Sequence, residues 1–304
     1  MPIELHIMSE EPPVEKLKLA IVGKEKHGKS RLSATGRKVV LNHDFDNRAE
    51  ALQGMKGVVV ASYVDPQWPN QPDAAPKFLD VVGRLEETLD LHDFGDLIKG
   101  ADKLPKGTIV KTNVVDSIQT MGKAFQNYAL FGQGSLRREI SIGKMKVFLP
   151  GGWDAWNAEM TPVENTILRL LALPTDTILI LHETPEETED STPDKKKFTG
   201  KIGVYPARYQ RLLKYVNELW RVQLTASISK NTNKQVYTPK VYPLPDHKFD
   251  AATTMFLDPF EEPNIEELIL KHRRIAAQKG LLSQTTLQSD AKVLPMTASK
   301  DVKL

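Results

Sequence analysis

Short apolar runs separated by longer amphipathic segments recur along the chain, and that alternation predicts an α/β fold. Leu17 to Val22, Lys38 to Asn42, Val58 to Val64, Thr108 to Ser117 and Thr177 to Leu181 read as core strands, dense in β-branched and aliphatic residues. Between the third and fourth, Val81, Val82, Leu85 and Leu89 recur at helical spacing and predict a helix from Val81 to Leu91. Thr161-Pro162-Val163-Glu164 has the form of a capping box with proline at the first helical position, so a helix is expected from there to Leu173, ended by Pro174. Tyr209 to Val216 and Ile265 to Lys279 read as further helices, the second stopped by Gly280. Glu218 to Leu224 and Gln235 to Tyr242 read as two closing strands joined by the polar turn Lys230-Asn231-Thr232-Asn233.

Breaks in the pattern mark the connections. Pro66, Pro69, Pro72 and Pro76 make residues 65–76 a surface connection, and Pro105-Lys106-Gly107 interrupts the chain before the fourth strand. Residues 130–156 are the least regular part of the core, with five glycines spread through them. Residues 184–203 read as a charged loop, first acidic and then basic. The domain organisation expected is a flexible lead-in over 1–15, a core over 16–245, an extension with a helix over 246–282 and a flexible Ser/Thr/Lys-rich tail over 283–304.

Composition narrows the class only a little. The 304 residues suffice for one large α/β domain, and a charged fraction of 26% is that of a soluble globular protein. A formal net charge of +2 leaves nucleic-acid binding to local patches rather than to a global field. The absence of cysteine excludes disulfides, thiolate metal sites and a cysteine nucleophile, and fits a reducing cytoplasm. The start lacks a signal peptide's basic and apolar regions, and no apolar run approaches the ~20 residues of a membrane span, so a cytoplasmic protein without a membrane partner is expected.

The chemistry starts at Gly23-Lys24-Glu25-Lys26-His27-Gly28-Lys29-Ser30, which follows the first strand and fulfils G-x-x-x-x-G-K-S, the full Walker A pattern. Its glycines let the backbone turn tightly so that N–H groups face phosphate oxygens. Lys29 is expected to reach the outer phosphates, and the Ser30 hydroxyl to ligate Mg²⁺, with Arg31 opening the helix behind the loop. The strand ending in Val114-Val115-Asp116 fits Walker B, whose carboxylate supports the same Mg²⁺. Ser117 either assists or caps the helix from Ile118. Asp44 and Asp46 follow the second strand, where open α/β sheets place ligands. Asp46 either polarises the attacking water or caps a following helix. His182, at the tip of the fifth strand, is placed either to sense the γ-phosphate or to make a structural hydrogen bond. Arg137, Arg138, Lys144 and Lys146 lie among Phe148, Trp153 and Trp156, a mixture suited to single-stranded nucleic acid and equally to a solvated loop whose tryptophans pack on the sheet. Lys195, Lys196, Lys197 and Lys201 form the basic half of the charged loop.

The order of P-loop, strand ending in Asp-x-Asp, Val-Val-Asp-Ser, Trp-rich loop, Ile-Leu-Ile-Leu-His-Glu, charged loop and closing hairpin resembles the RecA-like core ATPases of bacteriophages that act in single-strand annealing or recombination. The resemblance spans roughly residues 16–270. It implies a mainly parallel central sheet flanked by helices with a closing antiparallel β-hairpin, and an ATPase that uses ATP and Mg²⁺. It implies Asp46 as the residue that activates water, although glutamate is commoner there. It further implies that the loops near 130–156 and 184–203 bind single-stranded DNA, that the chain forms a ring or filament, and that a basic residue such as Lys230, Lys234 or Lys248 reaches a neighbour's site. A single-strand-binding protein is a further expected partner, and a phage-encoded chain would act in the host cytoplasm. Two other classes use the same loop. One is a nucleotide-gated, non-hydrolysing scaffold that recruits replication proteins. The other is a small-molecule kinase, which needs an arginine-bearing lid and an acceptor pocket.

Overall fold

A computed structural model describes residues 16–64, 72–132, 137–142, 145–150, 153–187, 198–205, 207–228 and 235–281. The side chains of 132–158, 185–202 and 205 lie outside the described set.

The apolar runs pair into one large sheet. Its strands are β1 (Lys18–Gly23), β2 (Val40–Asp44), β3 (Val58–Ser62), β4 (Thr112–Asp116), β7 (Asp176–Glu187), β9 (Glu218–Ile228) and β10 (Gln235–Tyr242), in the order β10-β9-β1-β7-β4-β2-β3. The pairs among β9, β1, β7, β4, β2 and β3 are all parallel, and β10 closes the edge antiparallel to β9. The sequence therefore predicted the sheet and its closing hairpin correctly. β7 lies between the P-loop strand and the Asp116 strand, with Gly23 in register with His182. β1, β2 and β4 are almost wholly buried, which is why they lack the alternation of a one-sided strand.

Two apolar layers cover the sheet. On one face, α2 (Ala74–Glu87), α3 (Ile118–Asn127) and α4 (Trp153–Ala172) bury Phe78, Val81, Leu85, Ile118, Met121, Phe125, Val163, Ile167 and Leu170. On the other, α1 (Lys29–Ser33) and α5 (Ile265–Gln278) bury Leu32, Ile265, Leu268 and Ile269 against Leu19, Ile21 and Trp220. Glu218 fastens the chain leading into α5. Its buried carboxylate accepts from Trp220 Nε1 at 2.9 Å, Thr253 Oγ1 at 2.6 Å and the Thr254 N–H at 2.8 Å.

Several boundaries differ from the sequence reading. α2 starts at Ala74 because Pro76 falls in the first turn, where its missing N–H costs nothing. It ends at Glu87 because Asp90 captures the His92 and Gly107 N–H groups and turns the chain. The capping box at Thr161 is not a helix start: α4 runs through it, with Pro162 inside. Glu164, which would close the box, instead accepts from Tyr215 and pairs with Arg211 and Lys214. The segment 130–156 is more regular than expected. A π-helical turn over Tyr128–Gly132 precedes an antiparallel hairpin of β5 (Arg137–Ile142) and β6 (Met145–Pro150). β7 likewise runs past His182 and pairs antiparallel with β8 (Phe198–Tyr205), so strand occupies both ends of the expected charged loop. Tyr209 to Val216 forms a 3₁₀ helix over Ala207–Tyr215 rather than an α-helix.

The aromatic cluster beneath the β2 end matters for function. Phe78 of α2 meets His43, Phe45 and Tyr63 with centroids 5.1, 5.0 and 5.2 Å away, so one ring supports the strand from which Asp46 departs. Phe78→Ala is expected to cost about 3–5 kcal/mol, the usual loss for a fully buried phenylalanine that leaves a cavity. A urea titration should show the midpoint fall with an unchanged slope.

Candidate functional site

The site is built at the carboxyl ends of β1, β7, β4 and β2. β1 ends in Gly23, which must be glycine: a Cβ there would stand 2.6 Å from the Val222 carbonyl oxygen of β9. The loop then turns through Lys26 at φ 63° and Gly28 at φ 91°, and Gly28 opens α1. Left-handed backbone at Gly28 carries no steric cost, and it directs the following N–H groups into the loop's hollow.

Lys29 is the electrostatic centre. The residue is 5% exposed, and its ammonium donates to the carbonyls of Gly23 at 2.8 Å and Lys24 at 2.7 Å. Burial pulls it down to about 8, against the opposing carboxylates of Asp116, Glu183 and Asp46. A cation short of solvent, at the head of a helix that follows a glycine-bearing loop, suits an anion.

Asp116 faces it from the end of β4. Burial pushes its carboxyl up to about 6, while hydrogen bonding from the Ser30 hydroxyl opposes the shift and the nearby Asp46 and Asp44 reinforce it. The Ser30 hydroxyl and Asp116 carboxylate are hard oxygen donors, the type Mg²⁺ takes when substrate phosphates and water complete its shell.

The two acidic residues after β2 do different work. Asp44 accepts from the backbone N–H groups of Asp46 at 3.0 Å and Arg48 at 3.0 Å, so it shapes the turn. Asp46 is thereby released from capping and lines the cavity. Its Oδ1 accepts from Ser117 Oγ at 3.0 Å and from Thr120 Oγ1. Ser117 makes no side-chain cap to α3, its hydroxyl being committed to Asp46. Thr120 was not singled out from the sequence. The signal was there in its place one helical turn beyond Asp116-Ser117.

His182 stands between Lys29 and Asp46. Its Nδ1 is 3.4 Å from Lys29 Nζ and its Nε2 is 3.9 Å from Asp46 Oδ2. Burial and the Lys29 charge lower its pKa, so the ring is neutral near pH 7. The lysine offers only donors, so Nδ1 accepts and the ring proton sits on Nε2. At 3.9 Å that N–H makes no direct bond to Asp46. Asp46 Oδ2 keeps its lone pairs for another donor.

Glu25, Lys26, Gly28, Lys29, Ser30, Arg31, Asp46, Arg48, Asp116 and His182 thus line one cavity of about 230 Å³. Gly23, Lys24 and His27 belong to the loop itself. His27 Nδ1 lies 3.4 Å from the Val222 carbonyl oxygen, against β9. Arg48 and Glu183 were missed in the sequence. Arg48 lines the cavity, and Glu183 pairs with Arg221 at 2.9 Å, both almost fully buried. Of the basic residues expected on nucleic acid, Arg137, Arg138 and Lys146 fall on the β5–β6 hairpin and Lys201 on β8, with side chains outside the described set. Lys144, Lys195, Lys196 and Lys197 lie outside the described residues, as do Lys230 and Lys234.

Asp116 carries a testable cost. Its folded carboxyl is raised, so the folded chain holds more protons than the unfolded chain between pH 3.8 and about 6. Stability of the nucleotide-free protein is therefore expected to fall as pH rises through that window, with the penalty fully present above it. Asp116→Asn should flatten the profile there and raise stability at pH 7.5 by about 1–2 kcal/mol, net of what Lys29 loses with its neighbour. Thermal unfolding across pH 4–8 reads this directly. A variant that keeps the wild-type slope would show that Asp116 is not the group responsible.

A scan of protein-family models matches residues 15–251 to the AAA domain. No curated protein matches the chain. No helix among the described residues is long and apolar enough to cross a membrane. The match takes in the P-loop, both acidic strand ends, His182 and the closing hairpin, and the chain accordingly belongs to the AAA domain family of P-loop ATPases.

Proposed function

We propose that this ATPase is a RecA-like, Mg²⁺-ATP-dependent protein that binds single-stranded DNA and promotes annealing or recombination, working as a homo-oligomer. The observation that carries the hydrolytic part is the convergence of Lys29, Ser30, Asp116, Asp46 and His182 from four strand ends on one cavity. The nucleic-acid part is supported by the basic residues at 137, 138, 144, 146, 195–197 and 201. They gather in two excursions, one after the Asp116 strand and one after the His182 strand.

The roles follow from the geometry. Lys29 and the loop N–H groups hold the phosphates and balance charge that shifts onto the leaving oxygen. Ser30 and Asp116 would hold Mg²⁺, which supplies charge neutralisation at the β- and γ-phosphates. Asp46, its Oδ1 fixed by Ser117 and Thr120, keeps Oδ2 for a water proton. The carboxylate orients that water and takes its proton as the water's oxygen bonds to the γ-phosphorus and the bond from that phosphorus to the β,γ-bridging oxygen breaks, releasing ADP and phosphate. His182 Nε2–H points into the same space and reports whether a γ-phosphate is there. The β7–β8 pair would carry that information outward, because β7 pairs with β8 from His182 to Pro185 and, past a register shift, at Glu187.

The deciding experiment is ATP hydrolysis with and without single-stranded DNA, at low and moderate salt. Wild type is expected to be stimulated by DNA, less so as salt rises. Lys29→Ala should abolish turnover. Asp46→Asn should lower kcat by about 10²–10⁴ while nucleotide affinity changes little. Full turnover in Lys29→Ala would overturn the ATPase mechanism. Nucleotide binding without turnover, and no response to DNA, would overturn the recombination reading.

A further inference from the structure

A second cavity lies beside the nucleotide pocket, at the carboxyl ends of β2 and β3 and against α3. It encloses about 340 Å³, within the ~300–1,000 Å³ of small-molecule sites. Phe45 and Tyr63 back it, stacked with centroids 4.9 Å apart and planes 21° apart. Asn47, Thr120, Lys123 and Asn127 supply its polar groups. Thr120 joins the two cavities. It lines the second one, and its hydroxyl donates to Asp46 in the first.

We propose that this second cavity binds a single nucleotide unit, a nucleobase with its phosphate, and that the occupant regulates ATP turnover through Thr120. Two asparagine amides each offer a donor and an acceptor, the pairing that the edge of a base presents. The aromatic and aliphatic wall suits a flat, weakly polar ring. The exposed Lys123 ammonium suits the phosphate as a point charge. None of these side chains is used by the P-loop, so both sites fill together.

The coupling is short. The Thr120 hydroxyl has one proton, now given to Asp46, and Ser117 Oγ lies 3.2 Å away. An occupant that accepts that proton takes it from Asp46 and leaves Ser117 as the donor to Oδ1. The carboxylate then loses one of the two hydroxyls that hold its Oδ2 toward water, and turnover falls. This regulation rests on the reading of Asp46 as the residue that orients water. The nucleotide unit has two sources, a free mononucleotide or one residue of a single strand.

Full-length protein saturated with Mg²⁺-ADP, so that the P-loop is filled, is titrated calorimetrically with thymidine monophosphate and, separately, with an oligothymidylate strand. At least one is expected to bind. Lys123→Glu and Asn127→Ala should each weaken it at least about tenfold, with ADP affinity unchanged. Tight mononucleotide binding assigns the free source, and binding of the strand alone assigns the polymer. No binding of either, or binding indifferent to both variants, overturns the proposal. Thr120→Val should keep the binding but lose the response of ATP turnover to the ligand. A variant that still responds in full overturns the coupling. Binding is read without turnover, so a failure of DNA-stimulated hydrolysis and a failure of this site are separate results.

Discussion

The structure depends on keeping a lysine ammonium almost out of water at the end of a buried strand. Lys29 is charged and nearly enclosed, and its ammonium meets two loop carbonyls and a neutral imidazole. Such a cation is costly unless anions stand near it. The carboxylates of Asp116, Glu183 and Asp46 meet that need from three other strand positions. Burial, reinforced by the charges of Asp46 and Asp44, in turn pushes Asp116 up. Neither sign of charge is stable there alone, and a magnesium–triphosphate would relieve both.

That arrangement needs the strands in one order. With β7 between β1 and β4, Gly23 registers with His182, and Asp44 registers with Asp116. His182 can then touch Lys29 on one side and approach Asp46 on the other. Gly23 lies too close to the Val222 carbonyl for any side chain, so β9 sets the height of the loop. The Glu183–Arg221 pair holds the ends of β7 and β9 together across β1.

Much of this was legible in the sequence, for a physical reason. Strands buried on both faces carry short aliphatic runs (Leu19–Val22, Val40–Leu41, Val114–Val115, Ile178–Leu181), so β1, β2, β4 and β7 stand out, and the chemistry sits at or near their carboxyl ends. G-x-x-x-x-G-K-S is similarly plain because its residue types each answer one backbone or phosphate requirement. What stayed hidden depended on competition between partners. Thr161 to Glu164 has every residue of a capping box, yet Tyr215, Arg211 and Lys214, distant in sequence, claim Glu164 and α4 runs through. Asp44 and Asp46 look alike two positions apart, and only the turn's N–H groups decide which one is spent on the backbone. The β5–β6 hairpin was masked by its glycines, although Ile140-Ser141-Ile142 and Met145-Lys146-Val147 do alternate.

The division between Asp44 and Asp46 also bears on the proposal that Asp46 orients water, a role for which the shorter arm of aspartate has less reach than glutamate. A glutamate can reach a water from a turn set further back. Here Asp44 draws the turn tight by capturing the Asp46 and Arg48 N–H groups, and Ser117 and Thr120 hold Oδ1 from the start of α3. The carboxylate is thus brought forward by its surroundings, and reach is replaced by placement. A carboxylate fixed by two hydroxyls has little rotational freedom to lose when water arrives, which favours the transition state. Its orientation then depends on those hydroxyls, and one of them opens onto a second cavity. On the proposal that Asp46 orients water, the shorter side chain would make hydrolysis responsive to whatever touches Thr120, a dependence that a longer and freer glutamate would not have.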